Sequence, residues 1–286
     1  SEVLPADRRT ARASPVKWRA AVAAAVLLAC ILPAESARAA DGVVCRFTNP
    51  RFTEISGMAP SIRHANVLWL HNDSGNGPSL YAVDSRTCAT LARVTVRGAQ
   101  ARDWEAIASG RDDRGRPVLW LGDIGDNRDS WPNVSILRIP EPKSLRDQTV
   151  RALTYRFTYD DRPHNAEALL ANPRRAQLWV ITKQLAHGGL YALPNPPRGV
   201  ARRIRTEGGL VTDGAVSPTG DRYVVRDYVD AVFYRGLPPG REVARVELPM
   251  QVQGEAIAWA PDGQSLFIAS ERDNRLIRIP VPPAAR

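Results

Sequence analysis

The sequence contains only three cysteines, four histidines and three lysines among its 286 residues. No zinc-ligand motif appears among these few residues, which argues against a zinc site of the usual spacing. There is also no Gly-x-Ser-x-Gly motif and no phosphate-binding loop, so the common serine-hydrolase and nucleotide-binding sites are excluded. Beyond residue 40 we find no long amphipathic helix and no apolar run that could span a bilayer, so we expect no transmembrane span.

The formal net charge is +9, and nearly all of the basic residues are arginines. These arginines are scattered along the chain, whereas a nucleic-acid surface collects its basic residues in a patch or stripe. We therefore expect no nucleic acid among the partners. We expect instead a monomer whose ligand is a small molecule or a component of the cell envelope.

The first 40 residues differ in composition from the rest of the chain. A basic stretch precedes an apolar run over residues 20–32, and small residues follow at 37–39. This order is typical of a secretory signal peptide, so we predict a signal peptide over residues 1–39 and an extracellular domain over residues 40–286. Cys30, at the end of the apolar run, leaves open an alternative in which the exported protein is anchored by a lipid.

Two cysteines, Cys45 and Cys88, remain beyond the predicted signal peptide. In an oxidising compartment an even pair of cysteines predicts one disulfide. The alternative is two unpaired buried thiols.

A strand–turn–strand pattern occurs five times in the extracellular part. The first apolar runs of the five repeats lie at residues 55–59, 104–108, 166–170, 212–216 and 254–258. Repeats of about 40–60 residues with several short strands each are typical of a β-propeller. We therefore predict an all-β fold, a β-propeller with five four-stranded blades. A six-bladed ring is the alternative, if residues 130–165 contain a degenerate blade.

The fifth repeat ends after three apolar runs, the last at residues 276–279. The short run at residues 43–47 is the natural fourth strand. Pairing it with the last blade would close the ring and cover a free sheet edge.

The innermost strand of each blade lines the central channel of a propeller. Alignment of the five innermost strands places one polar residue from each at an equivalent position: Ser56, Glu105, Glu167, Asp213 and Glu255. Four carboxylates pointing at one axis repel one another unless a cation lies among them. An all-oxygen set favours a hard cation, so we predict that these four acids bind Ca²⁺ in preference to Mg²⁺. The alternative is that they cap backbone amides or pair with Arg102, Arg226 or Arg272.

Polar residues at the ends of the second strands are the candidates for catalysis. His71 and Asp73 follow the second strand of the first repeat, and Asp123 occupies the matching place in the second repeat. His164 precedes the third innermost strand. Either histidine could act as a general base at the channel mouth, or it could be structural.

Several motifs resemble those of a group of secreted bacterial propellers. They are Asn-Asp-Ser-Gly-Asn at 72–76, Asp-Trp-Glu-Ala-Ile-Ala at 103–108, Asp-Ile-Gly-Asp-Asn-Arg at 123–128 and Glu-Pro at 141–142. More distantly, the chain is similar to phytase-like and esterase-like propellers and to calcium-dependent lactonase propellers. The resemblance implies channel calcium held by Glu105, Glu167, Asp213 and Glu255. We therefore expect a secreted calcium-binding propeller that hydrolyses a phosphoester, an ester or a lactone. The alternative is a non-catalytic propeller with structural calcium that binds a ligand or a protein.

Overall fold

The computed structural model describes residues 37–38, 42–73, 75 and 77–286. Strands account for all of the regular structure in these residues except a turn of 3-10 helix at Pro283–Ala285. The predicted signal peptide lies almost wholly outside the described residues. No helix in the described part is long and apolar enough to cross a membrane.

Twenty-two strands follow one another along the described chain. The first two are β1 (Ala37–Arg38) and β2 (Val43–Arg46). The first blade contains β3 (Ile55–Pro60), β4 (Val67–Asn72), β5 (Ser79–Asp84) and β6 (Thr90–Arg97). The second contains β7 (Trp104–Arg111), β8 (Pro117–Asp123) and β9 (Val134–Pro140), then, after the separate β10 (Gln148–Arg151), its outer strand β11 (Leu153–Tyr159).

The remaining blades follow in chain order. The third contains β12 (Ala166–Ala171), β13 (Leu178–Thr182), β14 (His187–Ala192) and β15 (Gly199–Gly208). The fourth contains β16 (Asp213–Val216), β17 (Arg222–Arg226), β18 (Asp230–Arg235) and β19 (Arg241–Glu247). The fifth contains β20 (Gly254–Trp259), β21 (Ser265–Ser270) and β22 (Asp273–Pro280).

Strand pairing confirms the predicted β-propeller. Within each blade the strands are antiparallel neighbours in sequence order. The five innermost strands contact one another in a closed cycle, from β3 through β7, β12, β16 and β20 and back to β3. Residues 130–165 supply β9, β10 and β11, and the cycle of described innermost strands has five members.

The ring is closed by the N-terminal strand, as predicted. β2 pairs antiparallel with β22, where Val43 lies opposite Ile277 and Arg46 opposite Arg275. This pairing supplies the fourth strand of the fifth blade. A disulfide between Cys45 on β2 and Cys88, in the turn before β6, then links the fifth blade to the first.

Parallel pairing covers several outer edges of the blades. β10 pairs parallel with β6, and β1, which belongs to the predicted signal peptide, pairs parallel with β19 in the chain that retains it. β11 pairs parallel with β15, which joins the second and third blades into one eight-stranded sheet. Such pairing removes exposed strand edges, where another chain could otherwise add.

The apolar core of the described residues lies between neighbouring blades, in five clusters. Alternation along a strand explains this arrangement, because successive side chains point to opposite faces of a sheet. On β4, Val67 and Trp69 pack toward the second blade. Leu68 and Leu70 pack toward the fifth blade. The second strands therefore carry apolar residues on both faces over most of their length.

Candidate functional site

The starts of the innermost strands converge at one mouth of the channel. In four blades the pairing with the second strand is interrupted there by one extra residue: Ser56, Glu105, Glu167 or Glu255. Such a bulge removes a residue from the ladder and turns its side chain away from the sheet. The bulges therefore give these four residues a common position.

The fourth blade has no such extra residue. Asp213 pairs directly with Arg226 and Gly214 with Val225, so the ladder is regular there. The Asp213 carboxylate accepts hydrogen bonds from the backbone N–H groups of Gly214 (2.7 Å) and Ile257 (2.8 Å). Both of its oxygens are thus engaged by backbone amides. Asp213 therefore caps backbone amides, which is the alternative role that the sequence analysis gave for the four channel acids.

A cluster of three carboxylates lies where the first and second blades meet. Asp73 follows β4, and Asp103 and Glu105 flank the start of β7. One oxygen from each of these three residues lies within 4.8 Å of the others, close enough to share one metal ion. We call these three residues the acidic cluster. Of the four predicted metal ligands, Glu105 belongs to it.

Gly125 allows the acidic cluster to form. A Cβ atom at this position would lie 2.5 Å from Asp103 Oδ2 and would also collide with Glu105 Oε1. The backbone of residue 125 therefore forms one wall of the cluster. A side chain in its place would push the carboxylates aside.

Burial and electrostatic repulsion raise the pKa values of two carboxyl groups in the acidic cluster. Burial, reinforced by the charges of Asp73 and Glu167, raises the pKa of Asp103 to about 6. Burial and the neighbouring carboxylates also raise the pKa of Glu105 well above its usual value. Both acids therefore hold protons more tightly than in water, because the charged forms are desolvated and close together. A bound cation would reverse that preference.

Glu167 extends the cluster toward the third blade. It shares a hydrogen bond with the carboxyl group of Glu105. It also forms an ion pair with Lys183 (3.2 Å) and accepts a hydrogen bond from the Asn165 amide (3.1 Å). Burial raises the pKa of Glu167, although the Lys183 charge opposes that change. Lys183 thus supplies a positive charge beside the acids.

Glu255 lies with another acid on the fifth blade. It shares a hydrogen bond with Glu271, whose pKa is raised to about 8 by burial and by the Glu255 charge. Gln253 Nε2 donates a second hydrogen bond to Glu255, at 2.9 Å. Next to this pair, the Arg226 guanidinium is fully buried and donates to Gln251 and to the Ala256 carbonyl. Arg226 is one of the arginines named as an alternative partner for the acids.

The three catalytic candidates lie in different surroundings. Burial lowers the pKa of His71 to about 4, and its Nδ1 lies 3.0 Å from the Asn72 carbonyl oxygen. Asp123 accepts hydrogen bonds from the backbone N–H groups of Arg102 and Asp103, which holds the start of β7 in place. Asp73 alone lies in the acidic cluster. The structure thus brings Asp73 into the acidic cluster. His71 and Asp123 are buried next to the cluster but do not belong to it.

His164 belongs to a separate network at the second and third blades. Its Nε2 lies 2.9 Å from Asp161 and 2.8 Å from the Tyr191 hydroxyl. The residue is buried, with its ring edge-on to Tyr159. This arrangement fits the structural role that the sequence left open for it.

Asp103 was not among the predicted ligands. It lies one residue before β7, and Asp73 lies one residue after β4, so neither occupies the repeated position in the innermost strands. The motif Asp-Trp-Glu at residues 103–105 could have indicated Asp103 as a ligand, because it places a second acid two residues before Glu105. A residue and its second neighbour can reach one side of a bulged strand.

No family model matches the chain, and no curated protein matches it. Among solved structures, the chain is similar to one in a crystal structure of the mitotic checkpoint complex, with 15% identity, a TM-score of 0.40, and coverage of 78% of this chain and 60% of that one. It is also similar to Raptor of Chaetomium thermophilum, with 12% identity, a TM-score of 0.45, and coverage of 86% and 30%. The chain spans less than two thirds of either protein. At these values the likeness carries no argument about function.

Proposed function

We propose that this protein is an exported β-propeller that binds Ca²⁺ in the acidic cluster and binds its ligand at the same mouth of the channel. The observation that carries the proposal is the approach of Asp73, Asp103 and Glu105 within 4.8 Å of one another. Carboxylate oxygens are the ligands of hard cations, and Ca²⁺ accepts six to eight oxygens in a flexible arrangement. Three carboxylates leave coordination positions for water and for oxygens of a ligand.

The proposed ligand set is narrower than the four acids expected from the repeats. Glu105 is retained, and Asp73 and Asp103 join it. Glu167 stays adjacent, where it orients Glu105 through their shared hydrogen bond. Asp213 and Glu255 have other partners in the backbone of Ile257 and in Glu271.

A second candidate function is hydrolysis of a phosphoester, ester or lactone at the same cluster. The observation that favours it is the same approach of Asp73, Asp103 and Glu105, because a cation held by carboxylates at the channel mouth could act on a substrate oxygen. A cation there would polarise the substrate oxygen, and a neighbouring carboxylate that does not hold the cation would move a proton. Without this chemistry, the site serves binding alone and calcium is structural.

The proposal includes export to an oxidising compartment. Its supports are the signal-peptide pattern in residues 1–39 and the Cys45–Cys88 disulfide, since disulfides persist in oxidising surroundings. We propose that the exported protein is a monomer that is free of the membrane. The alternative is a protein anchored by a lipid on Cys30.

Thermal melting with and without calcium tests whether the folded protein binds Ca²⁺. Metal bound to the native state stabilises it by mass action, so chelation should lower the melting temperature and Ca²⁺ should restore it. Asp103→Asn and Glu105→Gln should each reduce the Ca²⁺-dependent shift. Glu242→Gln is the matched control, because Glu242 is an exposed acid on β19 with a loose ion pair to Arg245. An unchanged melting curve after chelation, with no metal found by elemental analysis, would remove the cation from the proposal.

Activity assays separate the two functions. A panel of chromogenic esters, lactones and phytate is incubated with the protein, with and without Ca²⁺. Turnover that requires Ca²⁺ and is lost in Asp103→Asn would establish hydrolysis. Calcium binding without turnover of any substrate would support the binding function.

A further inference from the structure

The other end of the channel has the opposite character. It opens into a cavity of about 240 Å³ whose wall is formed by the last residues of the innermost strands and by the turns after them. The lining residues are mostly apolar and include Met58, Ile107, Ala108, Ala215, Val216 and Trp259. Ile107 of the cavity wall lies two residues after Glu105 on β7, a rise of roughly 7 Å, whereas Arg111 lies six residues after it, roughly 20 Å away. The cavity wall and the acidic cluster share no residue.

The polar groups of the cavity wall bond mainly within the protein. Ser109 Oγ donates to the Pro60 carbonyl, and Ser61 Oγ donates to Glu141. The indole N–H of Trp259 donates to the Ala215 carbonyl at 3.1 Å. These groups already donate hydrogen bonds to protein acceptors. The cavity wall therefore offers an incoming molecule chiefly apolar surface.

Arg111 is the one charged residue among the described residues that line this cavity. It is the last residue of β7 and is half-buried, and its Nη1 donates one hydrogen bond to the Gly115 carbonyl, at 2.9 Å. A guanidinium has five N–H donors in a fixed fork, so donors remain after this bond. The cavity thus combines an apolar body with one cationic group at its edge.

We propose that this cavity binds a small amphipathic monoanion, with its unbranched apolar chain among the channel side chains and its carboxylate on Arg111. Small-molecule sites are typically apolar concavities in which a few polar groups fix the orientation of the ligand. An arginine that pairs with a carboxylate through two parallel N–H bonds is the strongest such group for an anion. This site needs neither the acidic cluster nor a cation.

Calorimetric titration with octanoate and with octan-1-ol tests the proposal, because the two probes share an apolar chain and differ in charge. The purified protein should bind octanoate about tenfold to one-hundredfold more tightly than octan-1-ol, the range expected for a hydrogen bond between charged groups. Arg111→Gln should abolish this preference and leave octan-1-ol binding unchanged. Arg114→Gln, in the turn that follows β7, is the matched control and should behave as the wild type.

A second variant tests whether the apolar chain of the ligand lies against the channel side chains. Ala108→Leu adds bulk to a partly exposed lining position and should weaken both probes, while its melting curve shows that it folds. Equal binding of the two probes to the wild type, or absence of binding, would overturn the proposal. So would an Ala108→Leu variant that folds and binds as the wild type does. Addition of Ca²⁺ should not change octanoate binding, so this test and the calcium test fail independently.

Discussion

The carboxylate of Asp213 accepts a hydrogen bond from the backbone N–H of Ile257 at 2.8 Å, and so joins the fourth blade to the fifth. The residue is fully buried, and its second oxygen accepts from the Gly214 N–H. Burial raises the pKa of Asp213 well above its usual value. An acid at the channel axis thus holds two blades together through backbone amides.

Asp213→Ala should therefore destabilise the fold without affecting calcium. Removal of the carboxylate leaves two buried N–H groups without their acceptor, and an unsatisfied buried donor costs about 1–3 kcal/mol. We expect a lower urea midpoint in the absence of Ca²⁺ and the same Ca²⁺-dependent shift as in the wild type. Loss of that shift in a variant of unchanged basal stability would return Asp213 to the calcium ligands.

Gly125→Ala should disrupt the acidic cluster. The new Cβ atom would lie 2.5 Å from Asp103 Oδ2, closer than atoms normally approach, so the carboxylate must move. We expect a smaller Ca²⁺-dependent shift of the melting temperature. Gly208→Ala is the control, because no atom lies within 4 Å of the Cβ position at Gly208. Equal calcium shifts in the two variants would contradict the proposed position of the ion.

The fold was largely predictable from the sequence, because the same strand–turn–strand pattern occurs five times along the chain. The apolar runs around Trp69, Trp120 and Trp179 predict the positions of three second strands, and the structure shows that these strands are buried on both faces. The closing strand was predictable because the fifth repeat lacks one. These features depend on local pattern and on the need to cover sheet edges.

The site was less predictable because one residue decides which way a carboxylate points. Glu105, Glu167 and Glu255 lie at bulges, whereas the ladder at Asp213 is regular. A shift of one residue turns a side chain to the other face of a strand. Alignment of the repeats by their acids could not show this difference. Asp103 was missed for a related reason, since it lies outside the strand that was aligned.

The Cys45–Cys88 disulfide should contribute measurably to stability. It joins residues separated by 43 positions, and a loop of that length predicts about 4 kcal/mol from chain entropy. Cys45→Ala/Cys88→Ala should lower the urea midpoint to that of the wild type treated with reductant. If reductant lowers the midpoint of the double variant as much as that of the wild type, its effect does not come from this disulfide.

Asp84 should make the stability of the first blade depend on pH below 4. A hydrogen bond from Arg86 lowers the pKa of Asp84 to about 2. Its stabilising effect is thus complete above the unfolded-state pKa and is lost as the pH falls from about 4 to 2. Because Asp84 is partly exposed, we expect Asp84→Asn to cost about 1 kcal/mol at pH 7.

Urea denaturation of wild type and Asp84→Asn at pH 7, 4 and 2 checks this prediction. The difference in free energy of unfolding should shrink steadily between pH 4 and 2, because at pH 2 Asp84 is protonated in the unfolded chain and about half protonated in the folded one. Glu242→Gln serves again as the control acid. A difference that stays constant between pH 7 and 2 would assign the effect to geometry and not to charge.

The pairing of β2 with β22 constrains the order in which the molecule can assemble. Val43 and Ile277 are opposite each other in the sheet, so the early strand has no partner until nearly the whole described chain has been synthesised. Contacts between residues so distant in sequence form slowly, because the intervening chain must be ordered first. During synthesis, the three strands of the fifth blade and the unpaired β2 each present an open edge to other chains. A chain that emerges slowly therefore leaves those edges exposed for longer before they pair.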